Sequence, residues 1–318
     1  MTFNSLVLTV AQFRALGSGA LPFSARVTLA DSGAALASLA QTELAALAGK
    51  GVGRIDARDN QLSLSVAQYL ALRTVSLTAG DVVTLADTGA ALAALSPAQI
   101  RDLAGDGIDR IDATNDVLAL SVAQYRALGA VQLVGSDHVV LRDSGTTLGG
   151  LSLAEIGALD GRGIDALDAT SGGLTLSVAE YRALGMVALT ASGVVTLRDS
   201  AAALRSLSIN ELTALAGKGV NVLLAYDGAI SLNVAQYLAL GPVRLQADKA
   251  TLADSGAALA GLSVAEIGGL AVHGIDRVHA TDDALVLSAD QVLALDGVAL
   301  ASDDTAVQRD SGTSLAAE

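Results

Sequence analysis

The chain has 318 residues, a net charge of -14 and no cysteine, which excludes a basic phosphate-binding face, a disulfide framework and a thiolate metal site. Apolar residues make up 52% but aromatics only 3%, so a core must be built from Leu, Val, Ile and Ala, and the length suits two ordinary domains or one repeat array. The longest charge-free run, 16 residues between Asp227 and Arg244, is too short and too polar to span a bilayer.

The opening "MTFNSLVLTVAQF" has no basic stretch and no small-residue cleavage site, so no cleavable signal peptide is expected. From there two phrases recur. "VTLADSGAALASLA" at 27 returns at 83, 139, 195 and 250, and its aspartates fall at Asp31, Asp87, Asp143, Asp199, Asp254 and Asp310, spaced by 56 residues four times and by 55 once. "LTVAQF" at Leu8 returns as "LSVAQY" at Leu64 and Leu120, "LSVAEY" at Leu176, "LNVAQY" at Leu232 and "LSADQV" at Leu287. A fixed period of this size marks a repeat architecture.

Residues 108–162 show the order within one period. "IDRIDA" alternates like a strand, "TND" is a turn and "VLAL" a second strand. Ser121 caps a helix over "VAQYRAL", ended by Gly129. "VQLV" is a strand, "GSD" a turn and "VVL" a strand; Asp143 then opens "SGTTLGGL", leading into a helix "LAEIGALDG" capped by Ser152 and ended by Gly161 and Gly163. Each period thus reads as two strand, turn, strand, helix units, and strands joined through a helix tend to lie parallel.

The expected fold is an α/β repeat solenoid of parallel strands and short helices, with about two coils per repeat. It is expected to run as a single elongated body over 1–318: a partial repeat 1–26, full repeats at about 27–81, 82–137, 138–193, 194–248 and 249–304, and a partial repeat 305–318.

The six recurring aspartates, Asp31, Asp87, Asp143, Asp199, Asp254 and Asp310, precede a helix start and are expected to be structural caps, their carboxylates accepting backbone N–H groups. "AGKGV" at 48 and 216 lacks the glycine and the Ser/Thr of a phosphate loop and reads as a helix C-terminus, with Gly51 and Gly219 at positive φ. Tyr69, Tyr125, Tyr181 and Tyr237 share one helical position with Phe13 and Val292, as core residues would.

Of the three histidines, His273 and His279 flank Asp276 without any metal-ligand spacing, and no nucleophile motif is present. No enzyme activity is expected. Stacked coils would instead line the turns up on one edge, placing Asp59, Asp81, Asp116, Asp137, Asp227, Asp248, Asp282, Asp283, Asp303 and Asp304 on an acidic ridge, interrupted by Ser171 and Ser192. Carboxylates so crowded repel unless cations lie between them, and oxygen ligands in turns suit calcium. Asp56, Asp112 and Asp168 give way to Leu224 and His279 in later repeats, so that column is no required ligand.

"DTGAALAAL" at 87–95, "IDRIDATND" at 108–116 and "LALSVAQY" at 118–125 resemble a repeat of large secreted or surface proteins of alphaproteobacteria such as rhizobia and methylobacteria. That resemblance implies a type I-secreted adhesin, biofilm-matrix or surface-layer-like protein that is secreted or held at the cell surface. Its partners would be itself, head to tail or laterally, or a cell-surface or matrix component, and not nucleic acid. The glycine-rich calcium repeats of many such chains are not found in this sequence. The competing expectation is an intracellular protein-interaction scaffold used as leucine-rich repeats are.

Overall fold

A helix of six or seven residues does not persist alone in water; here each is held by its caps and by the coil beside it. The hydroxyl of Ser65 accepts the N–H of Gln68, whose side chain returns to the N–H of Ser65, opening the helix Val66–Leu72. The same reciprocal box opens Val122–Ala127 on Ser121 and Gln124, and Val178–Ala183 on Ser177 and Glu180. Left-handed glycines terminate the segments: Gly51, Gly129, Gly163 and Gly219 all have positive φ, a region that costs glycine little.

The computed structural model describes residues 5–17, 19, 21 and 26–309. Among them are sixteen short α-helices and twenty-two strands in six parallel sheets of two to four strands, an α/β repeat arrangement. No described helix is long and apolar enough to cross a membrane. The chain divides into two compact units, Met1–Arg142 with Leu159–Ala166, and Asp143–Ala158 with Leu167–Glu318.

In the first unit one sheet runs Ser5–Leu8, Arg26–Asp31, Val52–Ala57, Ser76–Leu77, and a second runs Gln61–Leu64, Val82–Asp87, Arg110–Ala113, Gln132–Leu133. In the first of these Leu29 lies opposite Ile55, and Ile55 opposite Leu77. In the second, Leu64 lies opposite Leu85, Leu85 opposite Ile111, and Ile111 opposite Leu133. Facing residues on neighbouring strands are thus 21 to 26 positions apart in the chain, so each 56-residue repeat supplies at least two strand spacings.

The second unit repeats the scheme. Its sheets run Leu174–Leu176, Val195–Asp199, Val222–Ala225, Arg244–Gln246 and Ala229–Leu232, Lys249–Asp254, Arg277–Ala280, Ala299–Leu300, and a pair joins Ala284–Leu287 to Thr305–Gln308. Leu197 lies opposite Leu176 and Leu223, and Leu252 opposite Leu232 and Val278. Leu85, Leu197 and Leu252 are fully buried, each worth about 2 kcal/mol of apolar transfer. Identical rungs explain why so few aromatic residues suffice.

One detail corrects the sequence reading. The segment after each recurring aspartate of the described residues is a separate helix, so a repeat holds three helices: Gly89–Ala93, Pro97–Leu103 and Val122–Ala127 in the repeat that starts at Val82. Ser96 is extended at ψ 157 and caps a new helix with Pro97 at its first position, where proline's missing N–H has no helical partner to lose.

Candidate functional site

The recurring aspartates close the strands Arg26–Asp31, Val82–Asp87, Val195–Asp199 and Lys249–Asp254, one residue before a helix N-cap. The residue at the N-cap itself is the following Ser or Thr: Ser32, Thr88, Ser200 and Ser255 accept from Ala35, Ala91, Ala203 and Ala258. The aspartate reaches back instead. Oδ2 of Asp31, Asp87, Asp199 and Asp254 accepts the first helical N–H of Val10, Val66, Val178 and Val234, at 3.0 to 3.1 Å. Oδ1 accepts the N–H of the N-cap residue at 2.8 or 2.9 Å, as Asp143 does from Ser144. The carboxylate thus caps the helix of the neighbouring coil, and the N–H groups of Val10 and Ser32 hold Asp31 below the usual carboxylate range. Asp310 lies outside the described residues.

The ridge residues fall into three kinds of place. Asp59, Asp227 and Asp282 accept the N–H of Gly33, Ala201 and Gly256 at 2.8 to 2.9 Å, as Asn115 does from Gly89. They too cap a helix of the adjacent coil, and the Gly256 N–H draws the Asp282 carboxyl down. At Ser171 the backbone carbonyl does this for Gly145. At Gly89 the close approach leaves no room for a side chain, since a Cβ would lie 1.8 Å from the carbonyl oxygen of Val117, whereas the equivalent Ala201 is accommodated in its own repeat.

Asp116 and Asp283 occupy the left-handed turn position, φ 55 and 56, with Asn60 at 55, a conformation Asp and Asn tolerate better than most residues. Both are exposed, as is Asp248.

Asp81, Asp137 and Asp304 are the third kind. Their Oδ2 accepts the strand N–H of Ala57, Ala113 and Ala280 at 2.8 to 2.9 Å. Asp81 and Asp137 are only 6% exposed, and their Oδ1 atoms are buried with no hydrogen-bond partner. Burial pushes both carboxyls up, and Asp56 with Asp59, or Asp112 with Asp116, pushes in the same direction. In the last of these sites His279 stands in the column of Asp56 and Asp112, and its Nδ1 lies 3.0 Å from Oδ1 of Asp304.

His279, Asp303 and Asp304 are the one group of three among the described residues whose ligand atoms lie within 4.8 Å of one another. A nitrogen and two carboxylates suit a transition metal better than calcium. The remaining ridge residues are not drawn into such a group.

Sequence reasoning missed two further columns. Asp109, Asp165, Asn221 and Asp276 accept the N–H of Val83, Val139, Val195 and Ala250 at 2.6 to 2.9 Å. The amide of Gln124 donates to the carbonyls of Ala93 and Leu95, that of Gln68 to Ala37 and Leu39, and that of Gln291 to Ala260 and Leu262. Where Glu180 replaces the glutamine, Arg182 donates to Ser206 and pairs with Glu211 at 2.7 Å, holding that carboxyl down to about 2. The recurrence of Gln or Glu at 12, 68, 124, 180, 236 and 291 was the available signal.

Comparison of the chain with family models, with curated proteins and with solved structures returns no match. The functional reading therefore rests on how the recurring side chains are used.

Proposed function

We propose that the chain is a non-catalytic structural and adhesive repeat segment of a secreted or cell-surface bacterial protein, a spacer in a biofilm matrix or surface layer that associates with further copies or with matrix components. One observation carries this reading: the polar columns that recur with the repeat bond to the main chain of the neighbouring coil. Asp87 to Val66, Asp109 to Val83, Asn115 to Gly89 and Gln124 to Ala93 each tie one coil to the next. Such cross-links resist sliding and opening of coils, the property a spacer needs, and the charge of -14 keeps its surface hydrated.

The test is protease shaving of intact host cells, with an antibody to the chain. Loss of the full-length band while a cytosolic marker survives is expected; protection until lysis overturns the surface reading. A second reading, the interaction scaffold, is favoured by one feature. Leu153, Ile209 and Val264 each open the second helix of a repeat and are 50%, 43% and 46% exposed, an apolar column on the second unit.

A further inference from the structure

Independently of that reading, the first unit carries a break in two columns that coincide at one cleft. In four repeats an aromatic ring, a basic side chain and a backbone carbonyl form a fixed trio. Lys50 Nζ lies 4.9 Å from the ring centre of Phe13 and donates to the carbonyl of Gly17. The guanidinium of Arg162 lies 5.0 Å from the ring centre of Tyr125 and donates to Gly129 at 3.0 Å. Lys218 lies 5.1 Å from the ring centre of Tyr181 and donates to Gly185 at 2.6 Å. His273 meets Tyr237 edge-on at 5.5 Å, with Nε2 2.8 Å from the carbonyl oxygen of Gly241.

In the repeat of Tyr69 the basic residue is Asp106 and the glycine is Arg73. The Tyr69 hydroxyl donates to Oδ2 of Asp106 at 2.6 Å. Around this pair opens a cleft of about 520 Å³, lined among others by Tyr69, Arg73, Ser76 and Asp106, a volume that suits a small molecule. At Phe13, Tyr125 and Tyr181 the protein supplies a cation and at Tyr237 an imidazole, whereas beside Tyr69 a carboxylate takes that place.

We propose that this cleft binds an organic cation of small-molecule size, a primary alkylammonium or guanidinium ion. Asp106 supplies the counter-charge through Oδ1, which carries no hydrogen bond among the described residues. The Tyr69 ring supplies the cation–π face, and Arg73 holds the chain position of Gly17, Gly129 and Gly185, whose carbonyls accept from the built-in cation. The ligand completes the trio that the sequence leaves open.

The test is an NMR titration of the whole chain with n-butylammonium, guanidinium and neutral n-butanol, following the amides of Ser76, Gly105 and Gly107. Saturable shifts with the cations but not with butanol are expected, weakened about tenfold or more in Asp106→Asn. They should vanish in Asp106→Lys, which restores the built-in cation and is expected to melt above the parent. Arg73→Ala, which removes a like charge from the cleft lining, should bind at least as tightly; weaker binding would show that charge does not hold the probe and would overturn the proposal. Equal affinity of the parent and Asp106→Asn, equal response to butanol, or no saturation with any probe overturns it as well, and Asp106→Asn decides the matter even if Asp106→Lys does not fold.

Discussion

Asp87 Oδ2 accepts the N–H of Val66, 21 residues earlier in the chain, while Oδ1 of the same carboxylate accepts the N–H of Thr88. One side chain therefore joins the end of a strand, the start of its own helix and the start of the helix in the coil before it. Removing it frees two donors at once.

Asp87→Ala is expected to cost about 1–2 kcal/mol, the usual loss for a helix cap. Because a repeat array opens locally rather than as one unit, hydrogen exchange is the appropriate probe. The amides of Val66 and Thr88 should exchange about tenfold faster or more, with those of Val178 and Ser200 unchanged. Uniform acceleration across the chain would show that the carboxylate is not a local tie.

Asp81 makes the opposite prediction. Burial raises its carboxyl above the ordinary range, so folding takes up protons there. Its contribution is most favourable below the unfolded value and is lost as pH rises through the folded one. Asp81→Asn keeps an oxygen for the Ala57 N–H and removes the buried charge. The variant should melt above the parent at pH 7, and the difference should shrink toward acid pH. A variant that is less stable at pH 7 and approaches the parent in acid would assign the Oδ1 atom a partner that favours the ion.

The strand order, the serine N-caps and the glycine ends were legible because each is a local event: Ser121 with Gln124, or Gly51 after a helix, needs only neighbouring residues. What the aspartates bond to was not. Asp87 is visibly an acceptor near a helix start, but which coil donates depends on stacking, and the N-cap role passes to Thr88. The third helix was missed because "SGTTLGGL" has no apolar period, whereas Ser96 and Pro97 restart the chain through backbone geometry. The turn acids were legible one by one, but not that Asp59 and Asp282 would already cap glycine N–H groups. The cleft at Tyr69 was readable as two broken columns, Arg73 among glycines and Asp106 among bases.

Arg73 has φ 53 and ψ -100, while Gly17, Gly129, Gly185 and Gly241 in its column have φ of 54 to 56. A side chain in that region is strained by about 1–3 kcal/mol. Arg73→Gly is expected to recover about 1 kcal/mol, since the gain is offset by the greater freedom of an unfolded glycine. A higher midpoint in thermal unfolding, with the circular dichroism spectrum unchanged, is the expected result. A lower one would show that the Arg73 side chain holds the cleft together.

Calcium offers the sharpest test of the turn edge. The ion takes six to eight oxygens at about 2.3–2.6 Å, yet Asp59, Asp81, Asp137, Asp227 and Asp282 each spend an oxygen on a backbone N–H of fixed position. Gathering them around an ion would break the cap that each provides. Thermal unfolding in EDTA and in a few millimolar calcium should therefore give the same midpoint, with magnesium matching calcium. Zinc is the informative contrast, because His279, Asp303 and Asp304 present a nitrogen and two carboxylates in one place. A shift with zinc that His279→Ala abolishes would confine metal binding to that turn. A calcium-specific rise would instead place ions between the ridge aspartates and reassign them from caps to ligands.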